Sequence, residues 1–254
     1  NLAEGGHSSI SGGEGNDATG TLSSISGGEL NMASGSYSSI SGGYKSFGSS
    51  SSVTGGDSNV ASGEYSSVTG GATNLASGTR SSVSGGKSNV ASAYYSSVTG
   101  GAKNLASGTH SSVSGGSGNI AEGEGSAIMG GMDNLAEGGL SSISGGEGNN
   151  ATGTLSSISG GELNIASGSY SSISGGYTSE ASGKHSSVSG GSGASGSSSS
   201  VTGGNNNRAT DSYASVSGGQ NNEASGDVSS ISGGYFNKAS GEYSSVTGGA
   251  SNLA

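Results

Sequence analysis

Three histidines, His7, His110 and His185, occupy the same place in a recurring block, immediately before a Ser-Ser pair. Imidazoles can ligate a metal or move protons, but only where they converge. Many blocks separate these three, so they cannot form one site within the chain. The same position elsewhere holds Leu22, Tyr37, Tyr65, Arg80, Tyr95, Tyr170, Tyr213 and Tyr243, which reads as an exposed stripe. A Ser-His-Asp arrangement also needs three groups meeting in a pocket, and a uniform repeat predicts none. The expectation is a non-enzyme, with no catalytic residue, no metal ligand and no cofactor.

Two further motifs carry little. Gly12-Gly13-Glu14-Gly15-Asn16-Asp17 matches the start of the calcium-binding GGxGxD nonapeptide. Its duplicate at Gly145 ends in Asn150 and the period is 15, not 9, so no calcium site is expected. Asn150-Ala151-Thr152 is a glycosylation sequon, which frequent Asn produces by chance. More suggestive are the hydroxyls. Ser52, Thr54, Ser67, Thr69, Ser97 and Thr99 alternate with valine and would line up in ranks on one flat face. Insect antifreeze solenoids look similar, with threonine at both positions. Ice binding is therefore an alternative reading, and a glycan-binding surface module is another.

The element that must carry these residues is a repeat. The unit reads S-S-[IV]-[ST]-G-G-x-x-N-x-A-x-G-x-x, and seventeen copies begin from Ser8 to Ser244. The spacing is 15 residues except in the coils starting at Ser38 and Ser186, where it is 13. Both short coils are read as lacking the N-x pair, with Ser46-Phe47-Gly48 and Ala194-Ser195-Gly196 matching the Ala-x-Gly segment. Residues 1–44 repeat as 134–177 with three changes, so the array grew by copying blocks of coils.

A β-branched residue occupies one position throughout: Ile10, Ile25, Ile40, Val53, Val68, Val83, Val98, Val113, Ile128, Ile143, Ile158, Ile173, Val188, Val201, Val216, Ile231 and Val246. A flexible Gly/Ser linker has no physical reason to keep that register; a stacked strand does. The chain is therefore expected to be all-β, a parallel β-solenoid of seventeen coils over residues 1–254 as a single continuous array. Alternation puts Ser8, Ile10 and Gly12 on one face and Ser9 and Ser11 on the other. A second strand turns Asn16 and Ala18 inward, with Ser46 the one departure from alanine. The residue between Asn and Ala is charged at Asp17, Glu180, Arg208, Glu223 and Lys238, so it must face out. Glycines mark corners that need positive φ or close backbone approach. Asn suits either a turn or an internal ladder.

Composition agrees. There are 56 glycines, 28 % apolar residues, no Cys and no Pro, which excludes disulfide frameworks, thiolate metal sites and collagen. A net charge of −10 with seven Lys+Arg argues against nucleic acid or anionic lipid as partner. No apolar run is long enough for direct membrane insertion. The chain starts at Asn1 without a signal peptide and reads as a piece of a longer protein.

The unit, for instance Ser66-Ser67-Val68-Thr69-Gly70-Gly71 followed by Asn74-Leu75-Ala76-Ser77-Gly78, resembles the head repeats of trimeric autotransporter adhesins, the YadA-like haemagglutinin repeats, and related tail-fibre-like surface proteins. The resemblance covers essentially the whole chain. It implies a left-handed parallel β-roll, side-by-side association of chains, adhesion to matrix or cells, and an extracellular or cell-surface location. The outward position adds a residue-level reason for association: Val60, Leu75, Val90, Leu105, Ile120 and Leu135 are aliphatic in succession, and such ladders mark partner contacts. The expected function is a self-associating structural or adhesive fibre segment that provides spacing, adhesion or filament assembly. The expected partner is a second copy of the chain, with extracellular matrix, cell surface and glycan as further candidates.

Overall fold

A computed structural model describes every residue except Lys45, Ser46 and Ser49. The described chain is built from strands and contains no helix. It divides into two compact units, Asn1–Gly130 and Gly131–Ala254. Each is a parallel β-solenoid, and they hold about 16 turns between them, about 15 residues apart.

Every full coil contributes two short strands. One is the Ser-Ile/Val pair, as in Ser67–Val68, which lies between Ser52–Val53 and Ser82–Val83. The other is the x-Ala pair, as in Leu75–Ala76, between Val60–Ala61 and Val90–Ala91. A third ladder of single bridges runs through the residue after the glycine pair, Asp57 to Ala72 to Lys87. The period of the sequence is thus the period of the hydrogen bonding, because each coil can satisfy its backbone only on its neighbours.

The core is one Ile/Val and one Ala wide. Val68, Val83, Ala76 and Ala91 are fully buried, and in the second unit so are Ile143, Ile158, Ala151 and Ala166. The first serine of each pair also points inward, as at Ser66 and Ser81. Several of these hydroxyls, including that of Ser81, are buried without a hydrogen-bond partner, while Ser96 Oγ donates to the Ala93 carbonyl at 2.8 Å. Ala214 fills the same column in one coil.

The asparagine, open in the sequence between turn and ladder, forms an internal ladder. Asn74 is buried. Its Nδ2 donates to the carbonyls of Gly70 (2.9 Å) and Gly86 (3.0 Å), and its Oδ1 accepts the Asn89 backbone N–H at 3.0 Å. One side chain therefore closes its own corner and ties it to the next. Gly71 makes room for this: its φ is +85°, and a Cβ there would sit 2.1 Å from the Gly86 carbonyl oxygen and 2.6 Å from Asn74 Nδ2. Gly78, after Ala-x, is needed for close approach alone, since a Cβ would lie 2.0 Å from the Ala93 carbonyl oxygen.

Positive φ is not confined to glycine. The residue before each Ser-Ser pair is left-handed, including Tyr65 (59°), Arg80 (59°), Tyr95 (55°) and His110 (59°). So is the residue before Asn in many coils, such as Thr73 (56°) and Lys103 (57°).

The two short coils are trimmed at different corners, which corrects the reading that both lack the N-x pair. In the second, Ser192 pairs with Asn207, Gly193 with Glu180 and Arg208, and Ala194 with Ala181 and Ala209. Ser192 thus stands in the asparagine column, and its Oγ accepts the Asn207 N–H at 3.2 Å. The lost residues are the two between the glycine pair and that column. In the first, Phe47 pairs with Met32 and Val60, and Gly48 with Ala33 and Ala61. Gly48, not Ser46, takes the alanine column; Ser46, named for it from the sequence, lies outside the described residues. The shortfall there falls between Gly48 and Ser51.

Candidate functional site

The surface offers four features built by the same stacking. The first is the aliphatic column. Val60, Leu75, Val90, Leu105 and Ile120 lie in consecutive parallel register in the first unit. They point away from the core, yet they are half-buried, because side chains one strand spacing apart cover one another. Their outward direction was legible in the sequence, but this partial cover was not. Leu135, the sixth of the run, belongs to the second unit, where it pairs with Asn150. Farther along that unit the column turns charged, and Lys238 Nζ lies 3.3 Å from Glu223 Oε1.

The second feature is the hydroxyl face. Ser52, Ser67, Ser82 and Ser97 pair in register, and the exposed Thr54, Thr69 and Thr99 lie two residues further along their coils. The two columns are separated by roughly 7 Å, with repeats of roughly 4.8 Å. Ser84 interrupts the threonines and Ser114 ends their run, so the methyl groups are not continuous.

The third is the stripe before Ser-Ser. Tyr95 stacks on His110 with centroids 5.2 Å apart and an interplanar angle of 9°, and Tyr94 meets Tyr95 edge-on at 4.3 Å. The Arg80 guanidinium lies 5.3 Å from the Tyr95 ring centre and 5.9 Å from that of Tyr65. It also donates a hydrogen bond to the Tyr95 hydroxyl. That bond raises the guanidinium pKa and lowers that of the Tyr95 phenol, while donation to Tyr95 raises that of Tyr94. In the second unit Tyr170 and His185 stack at 4.7 Å. His110 and His185 are thus members of aromatic stacks. Groups of three or more His, Cys, Asp or Glu placed to hold a metal do not occur among the described residues. Asn16 of the calcium-like motif is engaged in the asparagine ladder.

The fourth feature went unseen in the sequence. Each trimmed corner leaves a notch of about 500 Å³. One, of about 520 Å³, opens between Tyr37 and Tyr65. The other, of about 510 Å³, opens between Tyr177 and Asn205. The 13-residue spacings were the available signal, but the wrong pair was assigned to the gap.

No protein-family model matches the chain, and no curated protein is similar to it. Among the described residues no helix is long and apolar enough to cross a membrane.

Proposed function

We propose that this chain is a structural fibre segment whose solenoid associates laterally with copies of itself. The observation that carries the reading is the aliphatic column from Val60 to Ile120, an unbroken outward ladder on a regular β surface. Each of these side chains is already partly covered. The remaining apolar area lies in a straight line that a second, similarly straight surface can cover without rearrangement. Association through a preformed face orders little chain and so costs little conformational entropy. An adhesive role at an extracellular or cell-surface location belongs to the same proposal, supported by the resemblance of the repeat to adhesin heads.

The test is sedimentation equilibrium of the chain and of the Leu75→Lys, Leu105→Lys double variant. The parent is expected to exceed the monomer mass at micromolar concentration. The variant is expected to be monomeric with an unchanged β circular dichroism spectrum. A monomeric parent overturns the reading.

A further inference from the structure

The notch at the second short coil is fully described and holds chemistry that the stacking alone does not explain. Loss of two residues between Gly191 and Ser192 removes one rung from the outer corner. Tyr177 and Thr178 form one wall, Asn205 and Asn206 the other. Two strand spacings separate these walls, roughly 9.6 Å. Along one side Glu180 and Arg208 flank Gly193 in the parallel ladder. Gly193 has no side chain to fill the gap, and a Cβ there would find its nearest contact only at 3.9 Å. The volume, about 510 Å³, is that of a small-molecule site.

The groups around it are of four kinds. Tyr177 is 61 % exposed and offers a ring face as an apolar platform. Asn205 offers an amide that both donates and accepts. Asn206 spends its amide nitrogen on Asn221 Oδ1 at 2.6 Å, which leaves its oxygen as an acceptor. Glu180 accepts only and Arg208 donates only, and neither forms an ion pair among the described residues.

We infer that this notch is a binding site for one neutral pyranose unit of a glycan. The opposite charges at its edge decide the ligand class. An anion drawn to Arg208 meets Glu180, and a cation drawn to Glu180 meets Arg208. Sugar hydroxyls both donate and accept, so they satisfy the carboxylate, the guanidinium and the amide together. The wall spacing agrees. A planar ring in contact with both walls needs about 7 Å, two carbon contacts of about 3.5 Å. The wider gap suits a puckered saturated ring with its C–H face on Tyr177. The proposal is separate from lateral association, which uses the first unit.

The experiment is isothermal titration calorimetry of the whole chain with cellohexaose, maltohexaose and mannohexaose, and with hexagalacturonate and the glucosamine hexamer as charged comparators. At least one neutral hexasaccharide is expected to bind saturably, and more tightly than either charged one. Tyr177→Ala and Arg208→Ala should each weaken it at least tenfold. Inserting Ala-Lys between Gly191 and Ser192 copies the Ala102-Lys103 pair of a full coil and should abolish binding while melting and the β spectrum are retained. Gly193→Phe fills the space from the column that holds Phe47 elsewhere, and should do the same. The proposal is overturned if no neutral hexasaccharide binds, if a charged hexamer binds more tightly, or if binding survives in a folded, filled variant.

Discussion

Asn74 holds the backbone N–H of Asn89 on its side-chain oxygen at 3.0 Å, and Asn89 does the same for Asn104. Each amide thus acts at once within its own coil and on the next. The asparagine ladder is as much a part of the interior as the valines, although it is polar.

Replacing one rung should therefore be costly. Asn89→Ala leaves the Asn104 N–H and the Gly85 carbonyl without their partner and removes one of two donors to the Gly101 carbonyl, which keeps the Lys87 N–H. Unsatisfied buried groups cost about 1–3 kcal/mol each. Water entering at the partly buried corner offsets some of that, and a net loss of about 3 kcal/mol is expected. Urea denaturation checks it; a change within about 0.5 kcal/mol, the range of an ordinary surface substitution, would show that the ladder is dispensable.

The assignment of faces is tested by two aspartates. Val98 is buried with 1 % exposure, whereas Val90 is half-buried and points outward. Val98→Asp places an unpaired charge in a core one residue wide and should cost roughly 4 kcal/mol or more. Val90→Asp should cost about 1 kcal/mol in the monomer. Equal losses in melting experiments would mean that inside and outside have been exchanged.

Neighbouring glycines should respond in opposite ways. Gly71→Ala forces a Cβ into the Gly86 carbonyl at a left-handed φ and should prevent local stacking, lowering the melting temperature sharply. Gly70→Ala meets nothing within 4 Å, and φ there is not left-handed. Reduced freedom of the unfolded chain should make it neutral or stabilising by up to about 1 kcal/mol. A large loss at Gly70 would contradict the corner geometry.

Ice growth should be unaffected by micromolar protein. The flat double column of hydroxyls has ordered spacing, but Ser84 breaks the run of threonine methyls at Thr54, Thr69 and Thr99, and Ser114 ends it. Measurable thermal hysteresis, lost when those three threonines become tyrosine, would establish ice binding instead.

The stacked core was legible in the sequence because Ile and Val at one register have a single physical explanation. Outward placement of Asp17 and Glu180 followed from the cost of burying charge. The asparagine stayed ambiguous because the same side chain suits a turn or a ladder, and only the Gly70 and Gly86 carbonyls decide between them. The first short coil was misread because Ser46-Phe47-Gly48 imitates Ala-Ser-Gly; in the second, Ala194 keeps its column and the error was to miss Ser192 in the asparagine column. Pairing of Phe47 with Met32 and Val60 fixes a different register, and composition carries no trace of it. The first notch was lost with that register, and the second with the place of Ser192. Left-handed Tyr65 and Arg80 were also invisible, since nothing in those side chains announces a positive φ.

The left-handed corners have a consequence for how such a chain can change. At Tyr65, Arg80, Tyr95 and His110 the backbone takes nearly the same φ whatever side chain it bears. The conformational penalty of a left-handed L-residue, about 1–2 kcal/mol, is then a fixed toll on the coil and not on the letter written there. Residues as different as Tyr, Arg and His can be exchanged at that address with little disturbance to their neighbours, whereas proline, with φ fixed near −65° and no N–H to donate, cannot. Core and corner are thus inherited separately: duplication copies the scaffold, and point mutation rewrites the outer face one coil at a time. A solenoid of this kind can acquire a new surface without having to refold its old interior.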